Sequence, residues 1–79
     1  MPRYFFHLAA KAGTVLDLEG AELPDLAHAL REAVEDARHL MSDAVRSGRD
    51  ISARQIEICD AAGVILSILP FTDALSHDD

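Results

Sequence analysis

The sequence predicts a single α+β domain in which an antiparallel sheet carries one long helix on one of its faces. First, apolar residues recur at steps of three and four over residues 25–47, the period of an amphipathic helix. Second, the other apolar runs are short and alternate with polar residues, as strands do. Third, these runs come in two pairs, each joined by a short break containing glycine. The predicted order is therefore β-β-α-β-β, with the helix covering one face of the sheet.

The first two strands are predicted over residues 3–9 and 14–18, with Gly13 in the break between them. On the first strand, Tyr4, Phe6 and Leu8 share one face, because successive side chains point to opposite sides of a strand.

The helix is predicted over residues 25–47, with Asp25 as its N-cap and Gly48 just after its end. Its predicted apolar stripe comprises Leu26, Leu30, Ala33, Ala37, Leu40, Met41 and Ala44, widened by Ala29, Val34 and Val45.

The last two strands are predicted over residues 54–60 and from Val64 to Pro70. The segment between them is typical of a three-residue hairpin loop with Gly63 in the left-handed conformation. This loop pairs Asp60 with Val64, so that Ile58 faces Leu66 and Ile56 faces Ile68. Residues 72–79 form a polar, acidic tail that we expect to fray.

Length and composition restrict the class of protein. We expect residues 1–79 to form one domain that buries only roughly 60% of its unfolded surface. Cys59 is the only cysteine, so a disulfide within the chain is excluded and oligomerisation remains a means of adding burial. The 14 acidic and 7 basic residues give a net charge of −7, which disfavours direct binding of nucleic acid. We find no secretory signal or membrane-spanning run and expect a cytoplasmic protein.

Three groups of residues are candidates for chemistry. His28 with Glu32, and Glu35 with His39, stand four apart on the helix and form two possible pairs of metal ligands. A solvated helix face explains them better, because the remaining ligands of a closed site are missing.

His7 and Asp17 come from neighbouring strands, and a cross-strand polar pair explains them without catalysis. The acidic neighbours of Cys59 disfavour a reactive thiolate. We therefore predict a protein that is not an enzyme, with no catalytic residue, cofactor or bound metal. A small enzyme or metal-dependent ligand-binding protein using His7, Asp17 or the His/Glu pairs of the helix is the alternative.

The second face of the sheet is the predicted interaction surface. One helix covers one face, and antiparallel sheets that face water normally show polar residues on the other. If Leu66 and Ile68 lie under the helix, apolar side chains remain on the uncovered side, which predicts a homodimer or a protein partner. The alternative is that the C-terminal segment, with Phe71 and Leu75, folds over this side. The predicted interface residues are Phe5, Leu16, Leu18, Ile65 and Leu69.

The opening Met-Pro-Arg-Tyr-Phe-Phe-His-Leu and the later Asp-Leu-Glu-Gly-Ala-Glu-Leu-Pro-Asp-Leu over residues 17–26 resemble a family of small alphaproteobacterial proteins with a domain of unknown function. The likeness continues through residues 54–60, Gly63 and residues 70–74. It implies a bacterial intracellular protein and supplies no catalytic residues. The hairpin followed by an alanine-rich helix is more loosely similar to antitoxin modules of the HicB type, which bind a toxin. That similarity implies an antitoxin-like regulatory protein as another alternative.

Overall fold

The computed structural model describes residues 1–76 and confirms the predicted α+β architecture. An antiparallel sheet of five strands packs against one long helix, and a 3-10 helix follows the last strand. The elements are β1 (Arg3–Ala10), β2 (Gly13–Val15), β3 (Ala21–Glu22), α1 (Leu26–Arg46), β4 (Gln55–Cys59), β5 (Ile65–Pro70) and the 3-10 helix (Phe71–Ala74).

The sheet has the order β2-β1-β4-β5, and β3 also pairs with β1. The two short strands β2 and β3 lie along the same edge of β1, opposite its two ends. The sequence predicts one strand over residues 14–18, whereas the structure ends β2 at Val15 and resumes pairing at Ala21. Strand β5 forms the other edge of the sheet.

Helix α1 begins and ends at the predicted caps. The carboxylate of Asp25 accepts a hydrogen bond from the His28 N–H at 2.9 Å, which satisfies a donor that the first turn leaves free. The His28 ring lies 2.7 Å from the same carboxylate oxygen. After the C-cap residue Ser47, Gly48 adopts a φ of 75°, the left-handed conformation that commonly ends helices.

A row of alanines forms most of the buried side of α1. The helix residues that are buried form what we call the alanine seam, completed by one methionine: Ala29, Ala33, Ala37, Met41 and Ala44. The leucines Leu26 and Leu30 pack against the core from the side and are only partly buried, and Leu40 is exposed. Because alanine side chains are short, they contribute little volume, and bulky residues of the sheet fill much of the core. These include Tyr4, Ile56, Ile58 and Leu69.

The predicted register of the last hairpin was wrong by one residue. The loop itself is as predicted: the Asp60 N–H donates to the Val64 carbonyl at 3.0 Å, and Gly63 has a φ of 83°. Beyond it, an irregularity lies between Ile58 and Cys59, typical of a β-bulge.

Because of this extra residue, Ile58 faces Ser67 and Ile56 faces Leu69. Leu69 therefore lies in the core, whereas Leu66 and Ile68, which we expected under the helix, are exposed.

The C-terminal segment packs on the helix. The sequence predicts a frayed tail from Thr72, but Phe71–Ala74 form the 3-10 helix, and Phe71 and Ala74 are buried in the core. The Arg38 side chain donates from Nε to the Ala74 carbonyl at 2.7 Å and holds this helix against α1. Residues 77–79 of the predicted tail lie outside the described part of the chain.

We expect Ala33→Leu to destabilise the domain by about 1–3 kcal/mol, because a larger side chain in the alanine seam overpacks the contact between helix and sheet. Ala27→Leu is the matched control, since Ala27 is exposed on the same helix and the exchange should change stability by no more than about 0.5 kcal/mol. Chemical denaturation measures both values. Equal losses of stability in the two variants would contradict the prediction that the alanine seam is tightly packed.

Candidate interaction surface

The sheet surface opposite α1, which we call the open face, carries side chains from three strands. Directly paired residues project to the same side of an antiparallel sheet, so the register assigns each residue to a face. Phe6, Leu8, Ile56 and Ile58 share the helix side with the core. By alternation and pairing, the open face carries Phe5 and His7 from β1, Glu57 and Cys59 from β4, and Ile65 and Ile68 from β5.

The β5 side of the open face is apolar and exposed to solvent. Ile65 is 50% exposed and Ile68 is 47% exposed, and Leu66 at the bulge between them is 40% exposed. Three exposed branched side chains within four residues form an apolar patch at this edge. The β-bulge creates the patch, because its extra residue interrupts the alternation of side chains between the two faces and places Ile68 on the open face.

Polar and aromatic groups occupy the middle of the open face. His7 pairs with Glu57 across β1 and β4, and the rings of His7 and Phe5 are stacked with centroids 6.5 Å apart. Cys59 lies between Phe5 and Ile65 in the register and is buried. Burial raises the pKa of the Cys59 thiol, and the nearby Glu57 and Asp60 carboxylates raise it further. The thiol therefore stays protonated and weakly nucleophilic at neutral pH.

A loop centred on Asp17 completes the opposite edge of the sheet. Between β2 and β3, the Asp17 carboxylate accepts a hydrogen bond from the Phe6 N–H at 3.1 Å, in place of a strand carbonyl. The other carboxylate oxygen accepts from the N–H groups of Glu19 at 3.2 Å and Gly20 at 3.1 Å. The Asp17 N–H in turn donates to Nδ1 of His7 at 3.0 Å, which places the proton of a neutral His7 ring on Nε2.

The hydrogen bonds to Asp17 also set its protonation. Partial burial acts to raise the pKa of the Asp17 carboxyl, but the N–H groups of Phe6, Gly20 and Glu19 and the nearby His7 ring together lower it. The carboxylate is therefore charged at neutral pH and keeps accepting these bonds.

Gly20 allows the loop to lie directly against β1. Its φ is 69°, and a Cβ atom at this position would stand 2.8 Å from the backbone carbonyl oxygen of Tyr4 and 3.0 Å from the Phe5 ring. Any other residue would meet both a strained backbone and a steric clash.

The predicted interface residues occupy three different environments. Phe5 is partly buried on the open face, and Ile65 is exposed there. Leu16 and Leu18 are exposed in the Asp17 loop, at the far edge of the sheet from β5. Leu69 was wrongly placed outward, because the bulge turns it into the core. Sequence reasoning missed Leu66 and Ile68, since period-two alternation carries no signal for an inserted residue.

The two histidines of the candidate metal-ligand pairs on α1 lie beside aspartates. His28 contacts Asp25 at the N-cap, and Nε2 of His39 lies 3.6 Å from the Asp43 carboxylate. Among residues 1–76, no three His, Cys, Asp or Glu residues are arranged to hold a metal ion together. His7 and Asp17 do meet, but through the backbone N–H of Asp17.

The C-terminal segment does not provide the alternative cover for the open face in the described structure. Phe71 enters the core, and the 3-10 helix contacts α1 and β5. None of the helices within residues 1–76 has the length and apolar character needed to span a membrane.

Comparison with known proteins identifies the family of the chain. The model of a family described as a domain of unknown function (DUF6894) matches residues 3–72, which is most of the chain. No curated protein matches the chain significantly, and neither does any solved structure.

We expect the stability advantage of the wild type over Asp17→Asn to depend on pH. The pKa of Asp17 is lowered by folding, so its carboxylate contributes stability above the ordinary pKa of about 4. This contribution is lost as the pH falls through the lowered pKa of the folded state. Denaturation of both proteins between neutral and strongly acidic pH measures it. A constant difference at all pH values would contradict the role of the charge, and Glu32→Gln controls for the loss of one exposed carboxylate.

We expect Gly20→Ala to cost roughly 1 kcal/mol or more beyond the cost of Gly63→Ala, because only the Gly20 position adds a steric clash. Both glycines have positive φ, but no atom lies within 4 Å of a Cβ placed on Gly63. The free energies of unfolding of the two variants test this. Similar losses would show that backbone strain alone matters at both sites.

Proposed function

The chain belongs to the DUF6894 family, and we propose that it is a small, non-enzymatic protein-interaction module that self-associates or binds a protein partner through its sheet. The observation that carries the proposal is the exposed apolar patch of Ile65, Leu66 and Ile68 on β5. A solvent-facing antiparallel sheet normally presents polar side chains, so a contiguous group of this kind favours contact with another molecule.

The small core supports the same proposal. One helix covers one side of the sheet, and the C-terminal 3-10 helix adds its buried residues to that same core. A chain of 79 residues buries a smaller fraction of its surface than a larger domain does, so contact on the open face would add burial that the fold lacks alone.

The open face also has features that give an interface specificity. The stacked Phe5 and His7 rings and the His7–Glu57 pair place aromatic and polar groups beside the apolar patch. Interfaces commonly combine an apolar centre with aromatic contacts and a polar surround. A partner with an apolar surface and a hydrogen-bonding group opposite Glu57 would match this arrangement.

The candidate chemical groups are occupied in ways that favour a non-enzymatic role. Nδ1 of His7 accepts the Asp17 N–H, the Cys59 thiol has a raised pKa, and His28 and His39 lie beside aspartates on the exposed side of α1. A lone buried thiol fits the reducing cytoplasm of a bacterium, where we place the protein. The net charge of −7 favours a protein partner over direct contact with nucleic acid.

We expect the double variant Ile65→Lys with Ile68→Lys to lose its binding partner, or its self-association, by roughly tenfold or more in affinity, as loss of central apolar contacts does. Light scattering at high micromolar concentration measures self-association. Affinity capture from a lysate of the source bacterium, with wild type and variant in parallel, measures binding of another protein.

The matched control is Val45→Lys with Leu75→Lys, which adds two positive charges at exposed apolar positions outside the sheet. This control should behave as the wild type does. An equal loss of binding in both double variants would show that the contact does not lie on the open face. A wild type that stays monomeric and retains no protein would contradict the proposal.

A further inference from the structure

The outer edge of β5 presents backbone groups that no strand of the described chain pairs. β5 is the last strand of the sheet order, with β4 on its inner side. The Phe71 N–H donates to the Arg54 carbonyl at 2.9 Å. This hydrogen bond shows which residues of β5 direct their backbone groups toward β4. Because backbone groups alternate between the two sides of a strand, those of Leu69 and Ser67 point to β4. The N–H and C=O of Ile68 therefore point away from the sheet.

The two edges of this sheet differ in how they are covered. On the β1 edge, β2 and β3 pair with the strand ends, and the Asp17 carboxylate takes the remaining Phe6 N–H. On the β5 edge, Pro70 and the bulge near Leu66 are features that hinder pairing with another strand. Neither removes the outward N–H and C=O groups of Ile68. No charged side chain interrupts Ile65–Pro70, although charges are a common means of preventing edge pairing.

From this geometry we propose that a second copy of the chain pairs with β5 along this edge, antiparallel to it. This inference concerns the edge of β5, whereas the proposed function concerns the open face, so each can fail without the other.

Charge favours a second copy as the occupant. The chain carries a net charge of −7, yet residues 61–72, its longest run without a charged side chain, contain the whole of β5. An antiparallel two-fold pairing sets neutral residues opposite neutral residues and keeps Asp60 and Asp73 beyond the strand ends. Such a contact is self-complementary, since the same segment serves both copies.

The pairing would also enlarge the open face. A two-fold axis perpendicular to the sheet keeps both α1 helices on one side and joins the two sheets into one. The apolar patches at Ile65 and Ile68 of the two copies would then lie side by side on the other side. A partner protein would meet a surface twice as wide as that of one chain.

Hydrogen exchange of single amides tests the edge directly. We expect exchange of the Ile68 N–H to slow by roughly tenfold or more as the protein concentration rises from dilute to millimolar, because pairing protects an amide that is free in the monomer. The Leu69 N–H, which points to β4, should be protected at every concentration. Rapid Ile68 exchange at all concentrations would overturn the inference.

Chemical synthesis of the chain with N-methyl-Ile68 separates the edge from the face. The methyl group removes the outward donor and leaves every side chain in place, whereas Ile68→Lys keeps the donor and changes the face. Edge pairing predicts that N-methylation abolishes the dimer in sedimentation equilibrium, with the circular dichroism of the monomer unchanged.

A dimer that survives N-methylation but is lost in Ile68→Lys would place self-association on the open face instead. A monomeric wild type whose Ile68 amide becomes protected only when another protein is added would assign the edge to a strand of that protein. Both results would overturn the proposed second copy.

Discussion

The contact between the alanine seam of α1 and the sheet is the constraint on which the rest of this small domain depends. Short side chains at Ala29, Ala33 and Ala37 contribute little volume, so bulky residues of the strands fill much of the core beside them. The larger helix side chains, Leu26 and Leu30, are displaced to the margins of the core. Phe71 of the C-terminal 3-10 helix is fully buried and adds its volume to this core.

The two edges of the sheet differ in what satisfies their outward backbone groups. At the β1 edge, a strand is interrupted for five residues, and a single carboxylate replaces the missing backbone acceptor while Gly20 lets the loop lie flat against Tyr4. That solution needs an aspartate and a glycine three residues apart, and both stand in the Asp-Leu-Glu-Gly segment. At the β5 edge, the chain supplies exposed apolar side chains and no further strand within residues 1–76. Contact with another molecule is therefore easier to accommodate there.

Local chemistry made the helix and the hairpin loop predictable from the sequence. Asp25, Gly48 and Gly63 act on their immediate neighbours, so their type and position suffice to define a cap or a turn. The register of β5 was not predictable by alternation, because one inserted residue exchanges the faces of all that follow. Ser67 made the wrong register more attractive, since a polar residue was expected to face solvent. The hydrogen bonds of Asp17 to β1 join segments that are separated in the sequence. The spacing of residues along the chain does not reveal such contacts.

Of the predicted surface residues on the strands, Phe5 and Ile65 lie on the open face and Leu69 lies in the core. Its use as an interface remains a proposal.

The burial of Cys59 has a consequence for how the sheet can be studied. The thiol lies in β4, between β1 and β5, and its raised pKa suppresses the reactive thiolate. Because the Cys59 side chain belongs to the open face, alkylating reagents reach it when the side chains that cover it move aside. Cys59 is thus a natural reporter of local motion: its rate of modification records how often this part of the open face uncovers the thiol under native conditions.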